Sequence, residues 1–543
     1  MSTTTTGTNG STTKSRGHNE AAPLYAKLEE RIMARDSKGA SDVYYDLVKA
    51  KRPFKEIMGE GVRIHAPYTH VPYHQRIDDG YPNFVNNDHC LLSARAALNL
   101  SRMVPGEAKM LPLAQTIWYI PTGLDIWNQK LNKAPGHYTR GQTTQPANPP
   151  VPVVYWPDQA PITEGGTIAE RLGTWLQLVE RGEVINAYRI FLGLMDEKKY
   201  RKEVLAELCF AGLIDVQDRV LYSRSYTTGH KSFRARATVE IGNALGWDTP
   251  EAHNVIYAGA LDIAVGPRWY SSYETACNAI KVLIDGERLS AATQSGTSEK
   301  ERGMLKNTMP PTEAETAELL DALLNAHEPA YMEVLAKLLI AGRGPRQLLD
   351  VVQMAAAQII VRSNDSNNFS IPQHCYEYTN TLGWFFDNFD HPRRLKLLFV
   401  AAGFVNRDAW HQRGTNDFAK LSIKAPRAAA SKTNEEILKN IEGSMLAFDG
   451  PAGVAWAKAY LDAEGDKAAL RQCVALTASR IGNDPHNQEL GQLTMEDYAK
   501  NSGPGRDMVA FAGIQHTAVH RKYGDVLEAS RRFGHALGVE SLH

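Results

Sequence analysis

Apolar residues along the chain recur mostly at spacings of three and four, and strict polar–apolar alternation is scarce, a pattern that predicts an all-α protein built as a large helical bundle. From Leu24 to Ala50 the spacing describes a helical pair that ends in the basic cluster Lys49, Lys51 and Arg52 ahead of Pro53. A further helix is expected over DHCLLSARAALNLSRMV, residues 88–104. Helix follows helix from Ile168 to Asp285 and from Thr312 to Asp408, another helical region covers Asn434 to Ser479, and Met508 to Leu537 closes the chain.

Four segments interrupt this pattern. Val62 to Asp79 is aromatic and proline-punctuated and should be extended. In Pro135 to Gly166 the prolines remove backbone donors and fix φ, which places the segment across the surface or the mouth of a cleft. RLSAATQSGTSEKERGMLKNTMPP, residues 288–311, has the composition of a mobile loop, and a second polar loop is expected from residue 480 through Gly505.

Residues 1–22 are rich in Ser and Thr and read as a disordered tail, leaving 23–543 as a single large helical domain. The echo between EVLAELCFAG (203–212) and EVLAKLLIAG (333–342) points to two pseudo-repeated halves, about 23–290 and 310–543, or to a chance match between Ala- and Leu-rich helices. At 543 residues and 43% apolar composition the chain can bury a substantial core. Its 60 basic and 61 acidic residues give no global field to attract a polyanion, which disfavours nucleic acid as a partner. No apolar run of about 18 residues argues for a membrane-spanning helix. Five scattered cysteines without CxxC spacing fit a reducing, cytoplasmic setting, and symmetric homo-oligomerisation is the usual state of such a chain.

The candidate chemistry lies in the histidines. His89, His230, His374 and His516 each follow capping or breaking residues such as Asn87, Asp88, Gly229, Pro372 and Gly513, and each is expected at or near a helix start. They are separated by 141, 144 and 142 positions. Equivalent helix starts in a pseudo-repetitive bundle can turn their first residues toward one axis, and neutral imidazoles converging there suit iron, zinc, copper or nickel. Four independent capping or core-edge histidines would give the same pattern. His516 and His520, four apart, share a helix face and can chelate one metal, or they form a solvated face with Arg521 and Lys522. His65, His70 and His74 sit among prolines and read as cleft lining or loop.

These residues resemble the questin-oxidase-like family of helical oxygenases from aromatic polyketide pathways. Its Asn-His helix opening with an Ala-Leu run is resembled by Asn87, Asp88, His89 and SARAALNLSRM. Its Gly-His start is resembled by Gly229 and His230, its Ala-rich helix leading to a histidine by AGRGPRQLLDVVQMAAAQII ahead of His374, and its last histidine by His516. The resemblance spans roughly residues 75–540. Two departures stand out: Asp88 separates Asn87 from His89, and His520, with Lys522 nearby, stands where the family can place a carboxylated lysine. The resemblance implies non-haem iron (Fe2+) on His89, His230, His374 and His516, with His520 as a fifth imidazole in place of the lysine or the last motif out of register, and with it activation of O2 and oxidation or C–C cleavage of an aromatic or polycyclic substrate. Aromatic residues near the helix starts, among them Tyr226, Phe233, Tyr378 and Trp384, could stack on such a substrate or belong to the core.

Two other readings keep different parts of the pattern. A metal-independent enzyme would use a His/Tyr cleft, with NADPH supplied externally because no GxGxxG turn is present. A helical scaffold binding other proteins would call for short regular repeats, which the long connectors interrupt.

Overall fold

The computed structural model describes residues 12–78, 81–86, 89–131, 159–213, 229–264, 272–288, 296–363, 370–412, 422–482, 485–519 and 527–538. Among them the chain forms 23 α-helices and one two-stranded antiparallel hairpin, an all-α architecture. No helix there is long and apolar enough to cross a membrane. None of the five cysteines is in a disulfide.

The amphipathic spacing explains the outer helices. Ala21, Tyr25, Leu28 and Ile32 place one buried stripe on the Thr12–Met33 helix, which packs against Ser37–Lys49. That stripe anchors a helix reaching back to Thr12, so the expected tail is helical over 12–22, and residues 1–11 lie outside the described residues. Tyr45 donates a hydrogen bond to the carbonyl of Ala529, 484 positions away, so the first helices and the last one, Glu528–Leu537, close on each other.

Three connectors differ from expectation. The Phe54–His65 helix runs through the first residues of the stretch read as extended, and the hairpin His70–Asp78 with Tyr81–Asn86 takes over only from His70. Within 288–311 the Glu299–Met304 helix begins at a capping box in which Ser298 and Glu301 satisfy each other's backbone N–H groups. Glu301 is then buried against Lys396, which its polar local composition hides. The loop expected after residue 480 is the Pro485–Lys500 helix, most of whose polar residues, from His486 to Asp497, are buried rather than solvated. Most of Pro135–Gly166 lies outside the described residues.

At the centre stand four helices: Cys90–Leu100, His230–Leu245, Ser370–Asn388 and Pro485–Lys500. Each packs against two of the others in a closed ring. They are enclosed by helices such as Leu111–Leu131, Pro345–Arg362 and Asp507–Val519. All eleven residues of Cys90–Leu100 are buried, so its polar side chains Ser93, Arg95 and Asn99 must find partners inside the protein.

Candidate metal centre

Contacts along the four central helices advance in step. His89 meets His230 while Asn99, ten residues on, donates to Glu240, ten residues past His230. His230 meets His374 while Arg236 donates to Asn380, each six residues further along. His89 meets His486 while Arg95 donates to Gln492. The helices therefore run in the same direction, with their N-terminal ends together. Parallel helices cannot be joined by short turns, so each return needs further helices, which is why the four histidines lie more than a hundred residues apart.

The N-terminal ends carry the histidines. His89 caps Cys90–Leu100, His230 opens His230–Leu245, His374 lies one turn into Ser370–Asn388, and His486 is second in Pro485–Lys500. Their rings form a square with sides of 4.9 Å (His89–His230), 4.9 Å (His230–His374), 4.7 Å (His374–His486) and 4.8 Å (His486–His89), each edge to face. His89 Nε2 and His230 Nε2 are 3.0 Å apart. Two nitrogens each roughly 2.0–2.1 Å from one tetrahedral metal would be about 3.3 Å apart, so this pair can share a metal with little movement. Donor atoms of His89, His230 and His486 lie within 4.8 Å of one another, as do those of His374, Glu377 and His486. His230, His374 and His486 are buried.

Gly229 positions His230. Its φ of +78° is left-handed, and a Cβ there would lie 2.6 Å from Tyr378 Cδ2, so only glycine lets the chain enter this helix so close to the Ser370–Asn388 helix.

A polar layer lies about 9 Å along the helices, six residues beyond the histidines. Arg95, completely buried, donates to Glu489 Oε1 at 2.5 Å and to Gln492 Oε1 at 3.0 Å. Arg236 bonds Asn380, Glu240 and Glu496. Deeper still, Asp497 accepts from Tyr376 and Asn380, each at 2.8 Å, and from Gln353 at 3.3 Å. Glu377 and Glu489 are buried carboxylates, Arg95 is the cation beside Glu489, and His486 Nδ1 lies 2.8 Å from Glu377 Oε1. A metal cation or an imidazolium among the imidazoles would be stabilised by the Glu377 carboxylate.

Burial, reinforced by Glu496, pushes the Asp497 carboxyl up to about 7 against the pull of its hydrogen-bond donors. Burial also opposes ionisation of Glu496, but Arg236 and Lys500 outweigh it and hold that carboxyl at about 2. The signs are opposite. Asp497 binds its proton more tightly in the folded state than its ordinary value of 3.8, so it removes stability as pH rises from about 4 to about 7; Glu496 removes stability as pH falls from about 4.5 toward 2. An Asp497→Asn variant, which keeps an acceptor for Tyr376, is expected to lose less stability than the parent between pH 5 and 8 in urea titrations. An unchanged difference between the two proteins over that range would contradict the assignment.

Not every expected residue joins the square. His516 is fully buried but lies in the last turn of the Asp507–Val519 helix, not at a helix start, with Nε2 3.3 Å from Gln373 Oε1. It belongs to neither donor group. His520 and Tyr226 lie outside the described residues. Tyr378 is buried against Phe233 and Phe404, and Phe233 in turn packs edge-on against His230. Trp384 is ten residues past His374, beneath the Arg236 guanidinium and beside Phe389, away from the histidines. His65 is buried. Cys375, next to His374, is fully buried, and burial together with Asp408 pushes its thiol well above the usual range, which leaves it unsuited to nucleophilic work.

His486 and Glu377 are the residues that sequence reading missed. The sequence carries a local signal for His486, since an Asp-Pro pair at 484–485 is a pattern that favours a helix start. The polar residues that follow obscured it, because they serve the buried layer rather than solvent.

Comparison of the chain with protein-family models, with curated proteins and with solved structures gives no match.

Proposed function

We propose that the chain is a metal-dependent oxygenase whose non-haem iron is held by His89, His230, His374 and His486 and whose substrate is an aromatic or polycyclic organic molecule. The observation that carries this reading is the square of four imidazoles, delivered by four parallel helices into one site, with the Glu377 carboxylate against His486. An all-imidazole set backed by carboxylates suits a first-row transition metal that changes oxidation state. Iron there would supply dioxygen activation.

The chain's own residues supply the rest. The four helices fix the imidazoles, Gly229 allows the close approach at His230, and burial keeps bulk water from the reacting groups. Phe233 and Tyr378 place buried aromatic rings beside His230, an apolar surround that suits an aromatic substrate. The cysteines, none of them in a disulfide, accord with a reducing, cytoplasmic setting.

The test is oxygen consumption by iron(II)-loaded protein offered polycyclic phenols, with and without NADPH as external reductant. Substrate-dependent uptake that disappears in His230→Ala is the expected result. Iron-loaded protein that consumes no oxygen with any member of the series would contradict the oxygenase reading. One observation favours a second reading: the 2.8 Å Glu377–His486 pair is also the geometry of an oriented general base. A metal-independent enzyme of that kind would keep its activity after exhaustive chelation.

A further inference from the structure

Glu377 is fully buried and lies three residues after His374, one turn along the same helix. Its carboxylate turns to the neighbouring helix, where Oε1 is 2.8 Å from His486 Nδ1. The second carboxylate near that nitrogen, Glu489, is 3.9 Å away and is engaged by Arg95 at 2.5 Å. An ionised carboxylate only accepts hydrogen bonds, so with Glu377 ionised and His486 neutral a bond of this length carries the proton on Nδ1 and leaves the lone pair on Nε2.

We propose that Glu377 is the positioning residue of the centre: it holds the Nδ1 proton of His486 and thereby commits Nε2 of that imidazole to the metal. The inference rests on the metal reading above. One helix then supplies a ligand, His374, and the group that orients the next ligand, His486. The hydrogen bond fixes the ring about its Cβ–Cγ axis and makes the imidazole a stronger donor, the part that outer-shell carboxylates play for metal-bound histidines. The opposing arrangement, in which Glu377 is itself a ligand beside His374 and His486 Nδ1, uses the same three residues and is separable by experiment.

Binding of iron(II), added alone and competed against a chromogenic chelator, is measured for the parent, Glu377→Ala and Glu377→Gln. The alanine variant loses the acceptor and is expected to bind roughly 10–100-fold more weakly. The glutamine variant keeps a carbonyl for the Nδ1 proton, so it is expected to bind more tightly than the alanine variant while its iron shows a higher reduction potential, because a negative charge has gone. Equal and near-complete loss in both variants would make Glu377 a ligand and overturn the proposal, as would full affinity in the alanine variant. Failure of the parent to bind any metal would instead remove the centre itself. Should the variants not fold, 15N NMR of the parent protein labelled at histidine decides the matter: His486 is expected with the proton on Nδ1, and a proton on Nε2 would contradict the assignment.

Discussion

Replacing His486 with alanine is expected to abolish stoichiometric metal binding, whereas His516→Ala is expected to leave it close to that of the parent. His486 closes two sides of the imidazole square, at 4.7 Å from His374 and 4.8 Å from His89, and belongs to both groups of converging donors. Removal of a ligand should exceed the roughly 10–100-fold cost of losing an outer-shell partner. His516 meets Gln373 and lies outside both donor groups, so its loss is expected to leave the four imidazoles in place. Metal content after dialysis, measured beside far-UV circular dichroism to confirm folding, separates the two variants. A metal-free His516→Ala protein with a fully loaded His486→Ala protein would reverse the ligand assignment.

The second large effect is on stability. Arg95 is completely buried, and its guanidinium faces Glu489, Gln492 and, at 3.8 Å, Glu240. Arg95→Met leaves the Glu489 carboxylate without its cation in a site that water does not reach, and breaking one side of such a pair costs about 3–5 kcal/mol. The double variant Arg95→Met/Glu489→Gln is expected to recover part of that loss, since the stranded charge is gone. Urea unfolding of the parent, the two single variants and the double gives the coupling directly. A loss below about 1 kcal/mol in Arg95→Met would show that the polar layer is not the electrostatic support described here.

Apolar periodicity reveals the outer helices because those helices face solvent on one side and core on the other. The central helices have less of that contrast; three of them still fall in stretches that read as helical, and the fourth does not. Cys90–Leu100 is buried all round, and Pro485–Lys500 carries His486, Glu489, Gln492 and Asp497 inward, so its sequence looks like a surface loop. His89 and His230 were legible as histidines at helix starts, and His374 as one near a start; these three meet in the structure. The near-even spacing then led to His516 as the fourth. The step of 141 positions does recur between Asn99 and Glu240, and that of 144 between Arg236 and Asn380, but the fourth helix begins earlier, at Pro485. The parallel course of the four helices is a property of tertiary packing, and no local pattern encodes it. Glu377 could not be singled out for a similar reason, since its partner lies 109 positions away.

The measurement that bears most directly on the centre is elemental analysis of the protein purified without chelators, repeated after anaerobic incubation with iron(II) and desalting. The account predicts about one iron per chain, retained through desalting and lost on replacement of His230. Folded protein that retains no transition metal under these conditions would contradict it, and the four imidazoles with Glu377 would then have to be understood as a metal-free acid–base cluster.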